Sequence, residues 1–149
     1  MDYRMANRSD IELFLSNRIE FVTSIREIEN ITEFENKTRE YLNAHIEKDD
    51  LIIFLAMKDG NIAASCMACI YETAPLPGCL SGKAAQLLNV YTQTEFRRKG
   101  HATTLLNLLI EEIKKRDVKK IILDYTNDGY MLYQKLGFTR LEHRMMLKL

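Results

Sequence analysis

Apolar residues recur along this chain in two rhythms. Ala102, Leu105, Leu106, Leu109, Ile110 and Ile113 follow one another at spacings of 3, 1, 3, 1 and 3, the stripe of a helix with one buried face. Ile11, Phe14, Leu15, Ile19 and Val22 give an earlier helix the same kind of face. Ser9-Asp10-Ile11-Glu12 is placed to open that helix as a capping box. Thr32-Glu33-Phe34-Glu35 repeats the device before a second helix running to about Glu47. Unbroken apolar runs read as strands: "LIIFLAM" from Leu51, then, across the tight turn Asp59-Gly60, its hairpin partner "NIAASCMACIYE". "TAPLPGCLSGK" carries both prolines and reads as a loop, after which "AAQLLNVYT" is a further strand. "KKIILDY" predicts a strand, "NDGYMLYQKL" a short helix, and "GFTRLEHRMMLKL" one or two closing strands after Gly137. The predicted order is strand–helix–helix–strand–strand–strand–helix–strand–helix–strand. It implies an α/β (α+β) fold with a mixed, mostly antiparallel central sheet and helices on both faces.

With no repeat, low-complexity tract or linker, residues 1–149 read as one domain, long enough to bury its own core. No apolar run approaches bilayer length. The opening "MDYRMANRSD" lacks the charged-then-apolar pattern of a signal peptide, so a cytoplasmic location is expected. Cys66 and Cys69 form a C-x-x-C, but on a strand residues three apart face opposite ways and no second ligand pair exists. Buried reduced thiols, with Cys79, are the expected reading, and no metal is expected. Net charge is zero, yet residues 1–50 hold 12 acids against 7 bases and residues 51–149 hold 9 against 14. That imbalance permits an anionic ligand on the later part and a cationic one near the earlier part.

One segment concentrates the charge. In "TEFRRKGHATTLL", Arg97, Arg98 and Lys99 precede Gly100 at the mouth of the most regular helix. A helix N-terminus offers free amide donors and partial positive charge, which suits phosphate, and Gly100 and Ala102 are small enough for close approach. Taken alone, the same residues fit a solvated corner shaped by a turn glycine at least as well. A Walker-type loop is excluded, since no G-x-x-x-x-G-K-[ST] occurs, and the three glycines of a dinucleotide fingerprint are missing. "RRK" and "KKRDVKK" raise nucleic acid as a partner, but Glu111, Glu112 and Asp117 interrupt that surface and no aromatic stands between the cations.

Context tips the balance. "NVYTQTEFRRKGHATTLLNLLIEEIKKR" followed by "KKIILDYTNDGYMLYQKLGF" resembles the GNAT superfamily of acyl-CoA-dependent N-acetyltransferases. Arg97-x-x-Gly100-x-Ala102 matches its pyrophosphate signature Q/R-x-x-G-x-G/A, and "LYQKLGF" its second hallmark, usually LYEKLGF. "YRMANRSDIELFLSNRIEF" looks like the usual first strand and helix. The resemblance implies a GNAT-like sheet and acetyl-CoA as co-substrate. Main-chain amides of Arg98, Lys99, Gly100, His101, Ala102 and Thr103 would hold the pyrophosphate. Asn89, Val90, Tyr91 and Thr92 would bond the pantetheine arm as an added strand does, with an amide near Val90 or Tyr91 polarising the thioester carbonyl. Arg97 opens the signature, and Asn127 is placed on the cofactor side.

Tyr133 is the residue the resemblance assigns to chemistry, as proton donor to the departing thiolate; by spacing alone it is a core aromatic beside Tyr130 and Leu136. The implied reaction is direct attack by a primary amine of a small molecule or protein in a ternary complex. The alternative is a non-catalytic acyl-CoA-binding module. A homodimer, common in the family, is also implied. Three positions depart from the usual pattern: His101 replaces Ile or Leu, Arg98 a common glycine and Gly129 an alanine. No base is assigned; Glu27, Glu29 and Glu33 border the acceptor groove by analogy, and they also read as a solvated face.

Overall fold

In a computed structural model describing residues 1–149, the chain forms β1 (Asp2–Met5), α1 (Ile11–Ile25), α2 (Ile31–His45), β2 (Leu51–Lys58) and β3 (Asn61–Glu72). It continues with β4 (Lys83–Thr92), α3 (His101–Lys114), β5 (Ile121–Leu123) and α4 (Tyr130–Lys135). The sheet order is β1-β2-β3-β4-β5, antiparallel except for the parallel β4–β5 pair. That parallel pair is the one the long connection through α3 allows.

Side-chain alternation sorts the core into two layers. Ile52, Phe54 and Ala56 of β2, with Ala64, Cys66 and Ala68 of β3, pack against Leu105, Leu106, Leu109 and Ile113 of α3. The opposite faces of those strands present Leu51, Ile53, Leu55, Ile62 and Met67 to Phe14 and Leu15 of α1 and Leu42 of α2. Helices therefore cover both faces, as the apolar runs predict. Cys66 and Cys69 do point to opposite faces, and all three cysteines are free thiols, Cys66 and Cys79 buried and Cys69 half-buried.

Three expectations need correction. The first capping box is built two residues earlier than Ser9–Glu12. The Asn7 side chain accepts the Ser9 N–H (2.9 Å), and Asp10 accepts the Asn7 N–H (2.8 Å) while pairing with Arg4 at 2.7 and 2.8 Å. A carboxylate that also meets a guanidinium outcompetes a serine hydroxyl for the role. The second helix is capped by Asn30, which accepts the Glu33 N–H at 3.0 Å, so Thr32 lies inside it. Finally, no strand forms after Gly137: α4 closes there, with Gly137 at φ +95° and the Phe138 N–H donating to Tyr133 O at 3.0 Å. From Thr139 to Leu149 every residue is exposed, and β5 keeps an unpaired outer edge.

Candidate active site

The site grows from an irregularity in β4. Its ladder to β3 runs Ala68↔Leu87 and then Met67↔Asn89, so Leu88 is an extra, exposed residue, a β-bulge. Before it, Ala85 and Leu87 face α3; after it, Val90 packs on that layer while Asn89 and Tyr91 turn toward α1. Pairing with β5 covers only Ala85↔Ile121, Gln86↔Ile122 and Leu87↔Leu123. β5 ends at Leu123, opposite Leu87, and the β5-facing side of Leu88–Thr92 is left without a neighbouring strand.

The opening leads to the mouth of α3. Arg98 (φ +61°) and Gly100 (φ +82°) both occupy the left-handed region, and Gly100 is the N-cap of α3 with no side chain capping its amides. The N–H groups of Arg98 through Thr103 have no acceptor within the chain, and successive amides in such a turn make an anion-binding concavity. A Cβ at Gly100 would meet nothing within 4 Å, so the glycine is required by backbone conformation and leaves open space in front of the amides.

Two of the three cations are already engaged. Arg97 Nε donates to Thr92 O at 3.0 Å, tying the loop to the end of β4. Lys99 Nζ donates to Glu95 O at 2.8 Å and lies 5.6 Å from the Phe96 ring centre. The Arg98 side chain has no partner. His101 is not the surface-facing residue its place at a helix start suggests. Its Nδ1 lies 2.6 Å from the Tyr3 hydroxyl, and its ring meets Phe96 edge-on at 6.3 Å, so it pins α3 to β1. Asn127 stands exposed in the turn before α4, its side chain unpartnered.

Tyr133 reaches the same region from α4. It packs on the α3 layer with Val90, and it lies near Cys66, the ladder partner of Val90. Burial pushes its phenol up to about 12, so it remains protonated throughout the neutral range. Gly129 makes room for the ring: a Cβ there would sit 2.8 Å from Tyr133 Cε2. That explains the departure from alanine at this position.

On the α1 side, sequence reasoning missed a polar network. Asn89, 1% exposed, donates to Ser65 Oγ (2.9 Å), which donates to Asn17 Oδ1 (2.6 Å). Arg18 reaches Leu88 O (3.4 Å) and Asn89 Oδ1 (3.3 Å) beside the Phe34 ring, and burial disfavours its charge. The Tyr91 hydroxyl donates to Glu20 Oε1 at 2.7 Å. A lone Asn within "QLLNVY" is the one trace of this network in the sequence. Glu27, Glu29 and Glu33 are exposed and make no hydrogen bond to β4; Glu33 serves the α2 cap. The cations of "KKRDVKK" are mostly paired locally, as in Lys114–Glu111 (2.7 Å), Arg116–Glu112 (3.2 Å) and Lys119–Asp117 (3.1 Å). No group of three or more His, Cys, Asp or Glu is arranged to hold a metal ion, and no helix is long and apolar enough to cross a membrane.

A strand left unpaired on one side, beside a helix mouth of free amides, suits an extended ligand that carries a phosphate. A profile of the acetyltransferase (GNAT) family matches residues 21–138, and the chain belongs to that family. An N-alpha-acetyltransferase of Saccharolobus solfataricus is 26% identical over 133 residues, 84% of this chain and 78% of that protein. Among solved structures, a predicted acetyltransferase of Clostridium acetobutylicum with acetyl-CoA superposes with a TM-score of 0.90. It is 25% identical, and the match covers 99% of this chain and 95% of that one. A GCN5-related N-acetyltransferase from Ralstonia eutropha has the same fold, with a TM-score of 0.86 at 21% identity over 99% and 97% of the two chains. The protein is an acetyl-CoA-dependent N-acetyltransferase.

Proposed function

We propose that this enzyme acetylates a primary amine by direct attack in a ternary complex, with the cofactor held along β4 and at the mouth of α3. The observation that carries the placement is the run of unpartnered N–H groups from Arg98 to Thr103, tied through Arg97 to the end of β4, whose outer side is unpaired beyond Leu87. Acetyl-CoA supplies the activated acetyl group. Main-chain groups of Asn89, Val90, Tyr91 and Thr92 bond the pantetheine arm, and an amide at Val90 or Tyr91 polarises the thioester carbonyl. Gly100, His101, Ala102 and Thr103 give the pyrophosphate their amides, as do Arg98 and Lys99, while Arg97 fixes the loop and Asn127 closes the cofactor side.

The amine nitrogen bonds to the carbonyl carbon, the carbon–sulfur bond breaks, and the amine surrenders a proton. Glu20, the one carboxylate bonded to a β4 side chain, takes that proton through Tyr91 or water. With its phenol near 12, Tyr133 is a poor full donor to a thiolate of ordinary pKa about 8.5. It acts instead as a hydrogen-bond donor to the departing sulfur, which is protonated from solvent on release.

Peptide α-amines are the first acceptors to test, because the Saccharolobus relative is named for that activity. The test is acceptor-dependent release of free thiol from acetyl-CoA across peptides, polyamines and amino sugars. CoA binding with no thiol release for any amine would make the chain a binding module and refute the reading.

A further inference from the structure

Arg8 and Arg39 each turn Nε and Nη2 onto one carboxylate, Glu47 at 3.1 and 2.8 Å and Glu12 at 2.8 and 3.2 Å. That planar fork matches two carboxylate oxygens, which is why arginine suits such pairs. Arg18 has the same fork with nothing in it. Its hydrogen bonds run from Nη1 alone, to Leu88 O and Asn89 Oδ1, while Nε and Nη2 donate to no group of the chain. The ion pairs of the chain all use other cations.

The side chain is half-buried, and burial pushes its pKa down. The ionisable group that opposes this is Cys69, whose thiol burial pushes up, so it carries no charge at neutral pH. A half-buried charge is held at a cost unless an anion meets it. Its place along β4 says where that anion belongs. With the thioester carbonyl at Val90 or Tyr91, as proposed above, Leu88 lies two or three residues before it, about 7–10 Å along an extended strand. At the far end Glu20 Oε1 accepts from the Tyr91 hydroxyl at 2.7 Å. The seam between α1 and β4 thus carries a guanidinium at one end and a carboxylate at the other, complementary to a molecule with both charges.

We propose that Arg18 is a specificity-determining residue whose Nε–Nη2 fork binds a carboxylate of the acceptor, several bonds from the amine that is acetylated at the Tyr91 end. The acceptor is then an ω-amino acid or a short peptide with an acidic side chain, and not a polyamine or an amino sugar. An α-amino acid carries both groups on one carbon and is too short to span the seam.

The test is thiol release from acetyl-CoA with matched acceptors that differ only in carboxylate against carboxamide. The pairs are γ-aminobutyrate with its amide, and a C-terminally amidated peptide with glutamate or glutamine in second place. Wild type should favour the carboxylate of at least one pair by about 10- to 100-fold in kcat/KM, chiefly through KM. Arg18→Gln should bring that ratio to about one, and Arg18→Lys, which keeps the charge and loses the fork, should retain a small part of it. A preference in the small pair alone assigns a free amino acid, and one in the peptide pair alone assigns a peptide. Equal turnover within both pairs overturns the proposal and leaves acetyl transfer standing. So does a preference that Arg18→Gln or Arg18→Lys retains in full, which would mark a purely structural arginine. Calorimetric titration of the CoA complex with both carboxylates separates the two readings if no thiol is released. Binding that Arg18→Gln abolishes then keeps the anion site and refutes acetyl transfer, whereas no binding refutes both.

Discussion

If backbone amides hold the pyrophosphate, exchanging side chains in the cradle should have effects opposite to those charge alone suggests. Two substitutions separate the ideas: Arg98→Gly removes a cation and keeps the amide, whereas Gly100→Ala keeps all charge and perturbs the amides. At φ +82° an alanine at position 100 meets no neighbour within 4 Å, so its cost is that of the left-handed backbone, about 1–2 kcal/mol. Relaxing that strain turns the amides away. At about 1.4 kcal/mol per tenfold, the Kd for CoA should rise roughly tenfold. Arg98 already sits at φ +61°, so glycine relieves about 1 kcal/mol of strain there. Extra freedom in the unfolded chain, about 0.4–1 kcal/mol, offsets most of it. The melting temperature should barely move, and the Kd should change less than about threefold. A charged hydrogen bond from Arg98 would instead be worth about 1.5–3 kcal/mol, or roughly 10- to 150-fold. Calorimetric titration with CoA and thermal melts of both variants decide the matter. A large loss in Arg98→Gly beside a silent Gly100→Ala would refute the amide reading.

Losing the hydrogen bond to the departing sulfur, Tyr133→Phe should lower kcat by about 10²-fold while leaving the KM for acetyl-CoA nearly unchanged. Because the folded-state phenol is raised to about 12, the wild-type rate should show no falling limb from this group near pH 10; a limb there that the Phe variant abolishes would contradict it. Stability follows the same sign. The buried phenol costs nothing below about pH 10, where both states are protonated, and destabilises the fold as pH rises from there toward 12. Gly129→Ala should displace the Tyr133 ring, since contact at 2.8 Å is well inside normal packing of about 3.5–4.0 Å. The loss in kcat should vanish in a Tyr133→Phe background, and a loss that persists there would mean the clash acts elsewhere. Asp10→Asn should cost about 1–2 kcal/mol at neutral pH. The Arg4 hydrogen bond lowers the Asp10 pKa, so that stability is present above about pH 3.9 and lost as pH falls through the lower folded value. The variant's melting temperature should therefore be flatter in acid than that of wild type.

The sequence carries the layers well, because stripes such as Leu105-Leu106-Leu109-Ile113 and runs such as Leu51–Ala56 report the core directly. It carries the helix mouth too, through Gly100, which takes the left-handed N-cap position before α3. It hides relations between distant residues. His101 makes sense only with Tyr3, 98 positions away, and Gly129 only with the volume of the Tyr133 ring. Arg18 and Glu20 read as surface positions of α1, yet they meet β4 at Leu88, Asn89 and Tyr91. After Gly137 the alternating pattern is real, but a strand also needs an edge to pair with, and these residues stay unpaired and exposed.

The extra residue at Leu88 is a change of phase. A regular strand obliges every second residue to share one environment, so it can line a dry core or a wet groove but not switch between them. One inserted position lets β4 change the neighbours it faces: Ala85 and Leu87 belong to the apolar packing against α3, whereas Asn89 and Tyr91, buried as well, belong to the polar contacts under α1. Removing Leu88 would swing an amide and a phenol into the α3 layer and turn Val90 toward the polar network. The α3-facing register of β4 can thus stay fixed while the residues that meet α1 vary.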